Sequence, residues 1–169
     1  MKKMAMGLIA LTLSTSSFAM MEPNDAEVAT TMATINNGEI KVSKLAQERA
    51  MNPKVKEFAN MMVKEHQTNL DTTMALAKKI NLQEKQTETS MKMKEENLKE
   101  YNALSKLKGK QFDEAYMAAM VRNHKDARLK IDQSLVPYAK NPELKTMLME
   151  TQKKVEMHLD HAQKVESAL

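Results

Sequence analysis

Apolar positions recur along this chain at helical spacing, and polar corners interrupt them four times. The first stripe is Val28, Met32, Ile35, Glu39, Val42 and Ala46, at alternating intervals of four and three residues. That period places side chains on one face of a helix. Asn24 and Glu27 make a capping-box pair at its start, and the helix is predicted to run to about Ala50. Gly38 falls mid-helix, where it costs about 1 kcal/mol relative to Ala and permits a close helix approach or a bend. Asn52-Pro53 opens a second helix, predicted to end near Ile80. Proline suits the first helical position because its missing N–H would have no partner there. The second stripe is Val55, Ala59, Met62, His66, Asn69, Thr73, Leu76 and Ile80. Asn81 to Thr89 is a polar linker. A shorter helix is predicted from Ser90 to Lys108, with a narrow stripe of Leu98, Tyr101, Leu104 and Leu107 and with Gly109 as its C-terminal cap. Asp113 is predicted to cap the next helix, with Phe112 and Met117 as its hydrophobic staple. Its stripe is Tyr116, Met120, His124, Ala127, Ile131, Leu135 and Tyr138, and Pro137 distorts its last turn. Asn141-Pro142 repeats the earlier corner. The last stripe is Leu144, Leu148, Thr151, Val155, His158, Ala162 and Val165, in a helix ending near Ser167.

Two Asn-Pro corners imply two helical hairpins. The predicted fold is all-α: a four-helix bundle of two hairpins with a shorter crossover helix lying on it. Composition agrees. Gly is 3, Pro is 4 and aromatic residues are 4%, while Lys, Glu, Ala, Leu and Met dominate. There is no cysteine, which excludes disulfides and thiolate chemistry. Residues 1–19 read as a secretory leader: Lys2 and Lys3, an apolar run from Met4 to Leu13, then Ser17-Phe18-Ala19. The run is about ten residues, half of what a membrane span needs. Residues 20–169 then form one helical domain, exported to the periplasm or cell envelope, and no later stretch is apolar enough to span a membrane. The net charge of +4 includes Lys2 and Lys3, so the mature surplus gives no argument for nucleic acid. The Lys/Glu run from Lys78 to Lys110 mixes signs and reads as a solvated face.

The candidate chemistry lies where the stripes turn polar. Glu39 and His66 lie roughly 18 and 20 Å from the first corner, and His124 and His158 about 24 to 26 Å from the second. In helices roughly 40 Å long, all four fall near mid-bundle. His161 is one turn beyond His158 on a neighbouring face, and Glu65 and Glu156 flank the belt. Imidazole and carboxylate converging in a bundle core suit a first-row transition metal: copper, zinc or iron. Met62 and Met120 each precede a belt histidine by four, and a thioether would favour copper. Most of the 17 methionines are ordinary core filler. Two rival readings are a Glu-His hydrogen-bond network that only fixes register and a belt loosened by protonation near about pH 6.

Asn37-Gly38-Glu39-Ile40, Asn52-Pro53-x-Val55-Lys56-x-Phe58-Ala59-x-x-Met62 and Glu65-His66-x-x-Asn69 resemble a bacterial family labelled domain of unknown function 4142. So do Phe112-Asp113-x-x-Tyr116, Met120-Val121-x-x-His124-x-x-Ala127, Pro142-x-Leu144-Lys145 and His158-Leu159-x-x-Ala162. The resemblance spans about residues 25 to 166. It implies an exported helical bundle, grouped with ferritin-like folds and often labelled an outer membrane protein. It implies no activity. A carboxylate di-iron site would need Glu-x-x-His, but Val63 and Val155 stand three before His66 and His158. The reading that follows is a non-catalytic envelope protein whose belt binds a transition metal. An envelope scaffold without metal is the main alternative, and a metal-dependent oxidase the third.

Overall fold

The computed structural model describes residues 22–169, so the predicted leader at residues 1–19 lies outside the described residues. The fold is an all-helical bundle. Five α-helices run in order: α1 (Asp25–Arg49), α2 (Pro53–Lys79), α3 (Glu88–Leu104), α4 (Gly109–Lys130) and α5 (Pro142–Glu166), with a π-helical turn at Ile131–Leu135. No strand occurs among the described residues. None of their helices is long and apolar enough to cross a membrane.

The predicted starts hold for three helices. Asn24 and Glu27 form a reciprocal capping box on α1. Asn52 and Asn141 each accept backbone N–H bonds at the heads of α2 and α5, with proline in the first turn. α1 pairs with α2, and α4 with α5, across these tight corners. The predicted faces of α2 and α5 lie in the core: Val55, Ala59, Met62, His66 and Thr73 are buried, as is the whole α5 stripe from Leu144 to Val165.

Other expectations need correction. Asp113 does not cap α4, which begins a turn earlier at Gly109. It reaches across instead: its carboxylate accepts from Met51 N–H (3.2 Å) and Asn52 N–H (2.8 Å) at the first corner. Asp25, in the first turn of α1, does the same at the second corner, accepting from Lys140 N–H (2.7 Å) and Asn141 N–H (3.0 Å). Each hairpin's corner is therefore held by an aspartate of the other. Gly109 does not close α3; at φ +58° it turns the chain into α4, a conformation that suits glycine. Phe112 is not a staple at a helix end but a buried residue stacked on Tyr116, with ring centroids 6.1 Å apart. Pro137 does distort the end of α4. The proline cannot donate a hydrogen bond, and the turn before it widens so that Val136 N–H reaches Ile131 C=O (2.9 Å). Beyond it Ala139, not Tyr138, is buried.

α3 packs chiefly on α1, and of its predicted stripe Leu104 is buried and Tyr101 and Leu107 pack on the core, whereas Leu98 does not. Leu98 is 47% exposed. Asn97 lies instead over Gly38, where a Cβ would meet its amide, and donates to Thr34 C=O at 3.3 Å. The mid-helix glycine thus serves close approach. The inner face of α1 is small and polar toward α3 and apolar toward the bundle, so Thr30, Thr34, Ile40 and Leu45 are buried outside the predicted stripe.

The apolar core falls into two clusters. One, near the first corner, includes Phe58, Met62, Phe112, Tyr116 and Met120. The other, near the second, includes Val28, Met32, Ile131, Leu135, Leu144 and Leu148. Each large side chain removed from water contributes about 1.5–3 kcal/mol. The belt lies between them.

Candidate metal centre

Three helices bring His66, His124 and His158 together. Each imidazole offers one nitrogen, and these three atoms lie within 4.8 Å of one another. The ring centroids are 5.4 to 5.7 Å apart. All three residues are buried.

The tautomers follow from the neighbours. Asn36 Nδ2 donates to Met32 C=O (2.9 Å) and Asn69 Oδ1 (2.7 Å), so its Oδ1 is the acceptor. His66 Nδ1 sits 2.9 Å from that oxygen and must carry the proton. His124 Nδ1 lies 2.8 Å from Met120 C=O, which can only accept. His158 Nε2 lies 2.8 Å from the Glu65 carboxylate and donates to it. The second nitrogen of each ring is then a bare lone pair: His66 Nε2, His124 Nε2 and His158 Nδ1. All three are buried and lack a hydrogen-bond partner among the described residues.

Three buried acceptors thus face one another without a donor. Each buried group left unpaired costs about 1–3 kcal/mol. Burial holds all three rings below the ordinary imidazole range, His124 to about 4. They are neutral at pH 7, the state in which imidazole ligates a metal. The partners on the far nitrogens, an amide, a carbonyl and a carboxylate, are those that orient metal-bound histidines. An ion about 2.1 Å from each nitrogen needs them within about 3.6 Å of one another, so from separations of up to 4.8 Å the triad closes by little more than about 1 Å to hold one.

Glu39 is buried at the same level but stands outside this cluster. Its Oε1 accepts from Asn123 Nδ2 (3.1 Å), and its Oε2 has no partner among the described residues. Burial, reinforced by Glu100, raises its pKa to about 8. With His66, His124 and Asn123 it lines a cavity of about 20 Å³, room for one water-sized ligand. His161 lies edge-on against Phe58, centroids 5.3 Å apart, and does not join the triad. Met62 and Met120 are buried in the core cluster on the first-corner side, and it is the Met120 carbonyl that touches His124.

Sequence reasoning named the three histidines and set Glu65, which holds His158, beside the belt, but missed Asn36, which holds His66. Asn36 lies off the predicted stripe; its only signal was a cluster of poor helix formers, Asn36-Asn37-Gly38, in mid-helix. Asn69 was visible as a polar stripe position, and it donates to Thr151 Oγ1 at 2.8 Å, linking α2 to α5.

No curated protein and no solved structure matches the chain. A family model described as a domain of unknown function matches residues 10–165. By that match, which covers nearly all of the chain, the protein belongs to the DUF4142 family.

Proposed function

We propose that this protein binds one first-row transition-metal ion through His66 Nε2, His124 Nε2 and His158 Nδ1, in the cell envelope after export. One observation carries the reading: three buried imidazole lone pairs converge with no donor between them. A register-fixing network would pair such atoms with hydrogen-bond donors. A cation satisfies all three at once, whereas a proton satisfies one pair. Neutral imidazoles suit copper or zinc, and the absence of a carboxylate from the cluster disfavours magnesium and calcium. Three protein ligands leave a fourth position for an exogenous ligand, and the small cavity beside Glu39 has room for it. Export rests on the basic, apolar and small-residue segments of residues 1–19.

The test is titration of chelator-stripped protein with Cu(I), Cu(II), Zn(II) and Fe(II), with metal analysis after desalting. About one ion retained per chain is expected for copper or zinc. Failure to retain any of the four would leave the triad without its proposed role.

A further inference from the structure

A cleft of about 600 Å³ lies between α1, α3 and α4. It exists because α3 packs on α1 and only lightly on α4. Its wall includes Ile35, Glu39, Asn123 and Ala127. The same four residues line the 20 Å³ cavity that borders His66 and His124. The outer cleft and the inner cavity are therefore two sides of one thin partition. Apolar clusters lie toward both ends of the bundle, so this lateral partition is a polar way to the triad, on the side where two voids adjoin it.

The partition is built from movable polar side chains. Asn123 Nδ2 donates to Glu39 Oε1 (3.1 Å) and to Glu100 Oε1 (2.9 Å), bridging the two carboxyl groups. Glu100 is anchored by Arg122. Glu96 and Asp126 at the wall of the cleft carry no ion pair among the described residues, so their carboxylates are available to a passing cation.

We propose that this cleft is the exchange route of the triad, along which the metal ion enters and leaves over the Glu39–Asn123 partition. The proposal rests on the metal-binding reading above. It makes the site exchangeable, not sealed, and assigns Asn123 as the side chain that must move.

The chain has no cysteine, so a single thiol can be placed at will. Glu96→Cys puts one on the α3 wall of the cleft, and Glu57→Cys puts one on exposed α2 surface away from it. Each is capped with either a methylthio group or a bulky fluorescein maleimide; both caps remove the thiolate and differ in size. Zinc uptake and release to a chelator are then followed by stopped flow. With the bulky cap at position 96, both rates are expected to fall at least about tenfold with the equilibrium affinity unchanged, as for a blocked path to an intact site. The same cap at position 57 is expected to leave them unaltered. Equal rates for the two caps at position 96 would overturn the route while leaving the site standing. Absence of zinc binding by the uncapped wild-type protein would overturn both.

Discussion

In the first hairpin, the positions that match His124 and His158 hold Asn36 and Asn69. Counting from the corner-binding aspartates, Asp25 and Asp113, Asn36 matches His124 and Glu39 matches Ala127. Counting from Pro53 and Pro142, Asn69 matches His158 and His66 matches Val155. The frame is common, but the side chains do different work. An amide donates and accepts together, so Asn36 and Asn69 close on each other and on His66 and Thr151. A neutral imidazole that donates once keeps one lone pair. His124 and His158 spend their donors outward, on Met120 C=O and Glu65, and turn their lone pairs inward. In the proposed site one hairpin thus supplies orientation plus a single ligand, and the other supplies two ligands on the same scaffold.

The largest expected effect lies at the matched pair Asn36 and His124. His124→Ala should abolish retention of metal after desalting, a loss of at least about 1000-fold in affinity, because two imidazoles do not hold a first-row ion against a chelator. Asn36→Ala removes only the group orienting His66 and should weaken binding about 10–100-fold. Equal effects from the two would erase the distinction between orienting amides and ligating imidazoles.

The second matched pair is Glu39 and Ala127. Glu39 titrates near 8 in the folded protein against an ordinary 4.5. Between those values the folded state keeps a proton that the unfolded chain has released, so stability falls as pH rises through that window. The lowered imidazoles act oppositely, losing stability as pH falls below 6.5 toward about 4, and Glu39→Gln leaves that part in place. In metal-free protein, Glu39→Gln should therefore gain stability relative to wild type from pH 5 to pH 8, by on the order of a few kcal/mol. Urea unfolding at the two pH values measures it, and a constant difference would mean that Glu39 is not buried as described.

A smaller contrast concerns the corners. Asp113 is buried and Asp25 is partly exposed, although each accepts two backbone N–H groups. Asp113→Ala should cost about 3 kcal/mol and Asp25→Ala about 1, since buried donors left unpaired cost more than those water can reach. The reverse order in urea midpoints would contradict the burial difference. The smallest effect is expected at Gly38, which matches Asp126 in the second hairpin. An added Cβ would overlap the Asn97 amide, so that side chain must turn away and give up its bond to Thr34 C=O, a cost that the gain of about 1 kcal/mol in helix propensity partly offsets. Gly38→Ala should unfold within about 1 kcal/mol of wild type.

The hairpins and the level of the histidines were legible because both follow from spacing. Thirteen residues from Pro53 to His66 and sixteen from Pro142 to His158 set heights along helices of known rise, and the corners set direction. Asn36 was not legible, because it lies on the flank of its helix, and burial there depends on which neighbour covers it. The C-terminal half of the α3 stripe, Tyr101, Leu104 and Leu107, was legible, but the inward face around Asn97 was hidden for a related reason. There the helix meets α1 through Asn97 over a glycine, so this part of the contact carries no apolar signature, while Leu98 stays exposed. Asp113 read as a helix cap because its residue type and position fit one; the backbone amides it accepts from belong to a corner 61 residues away.

The crossed aspartates have a consequence for how the chain reaches this shape. Asp25 meets its partners only after 115 residues have followed it, so the last links of the frame close across most of the sequence. Helix pairs with short corners form from near neighbours, but neither pair is finished by its own residues. A chain cut within the loop joining α2 to α3 would yield two pieces, each carrying the clasp for the other's bend. The halves should therefore assemble as an obligate pair when mixed, with neither acquiring a settled fold alone.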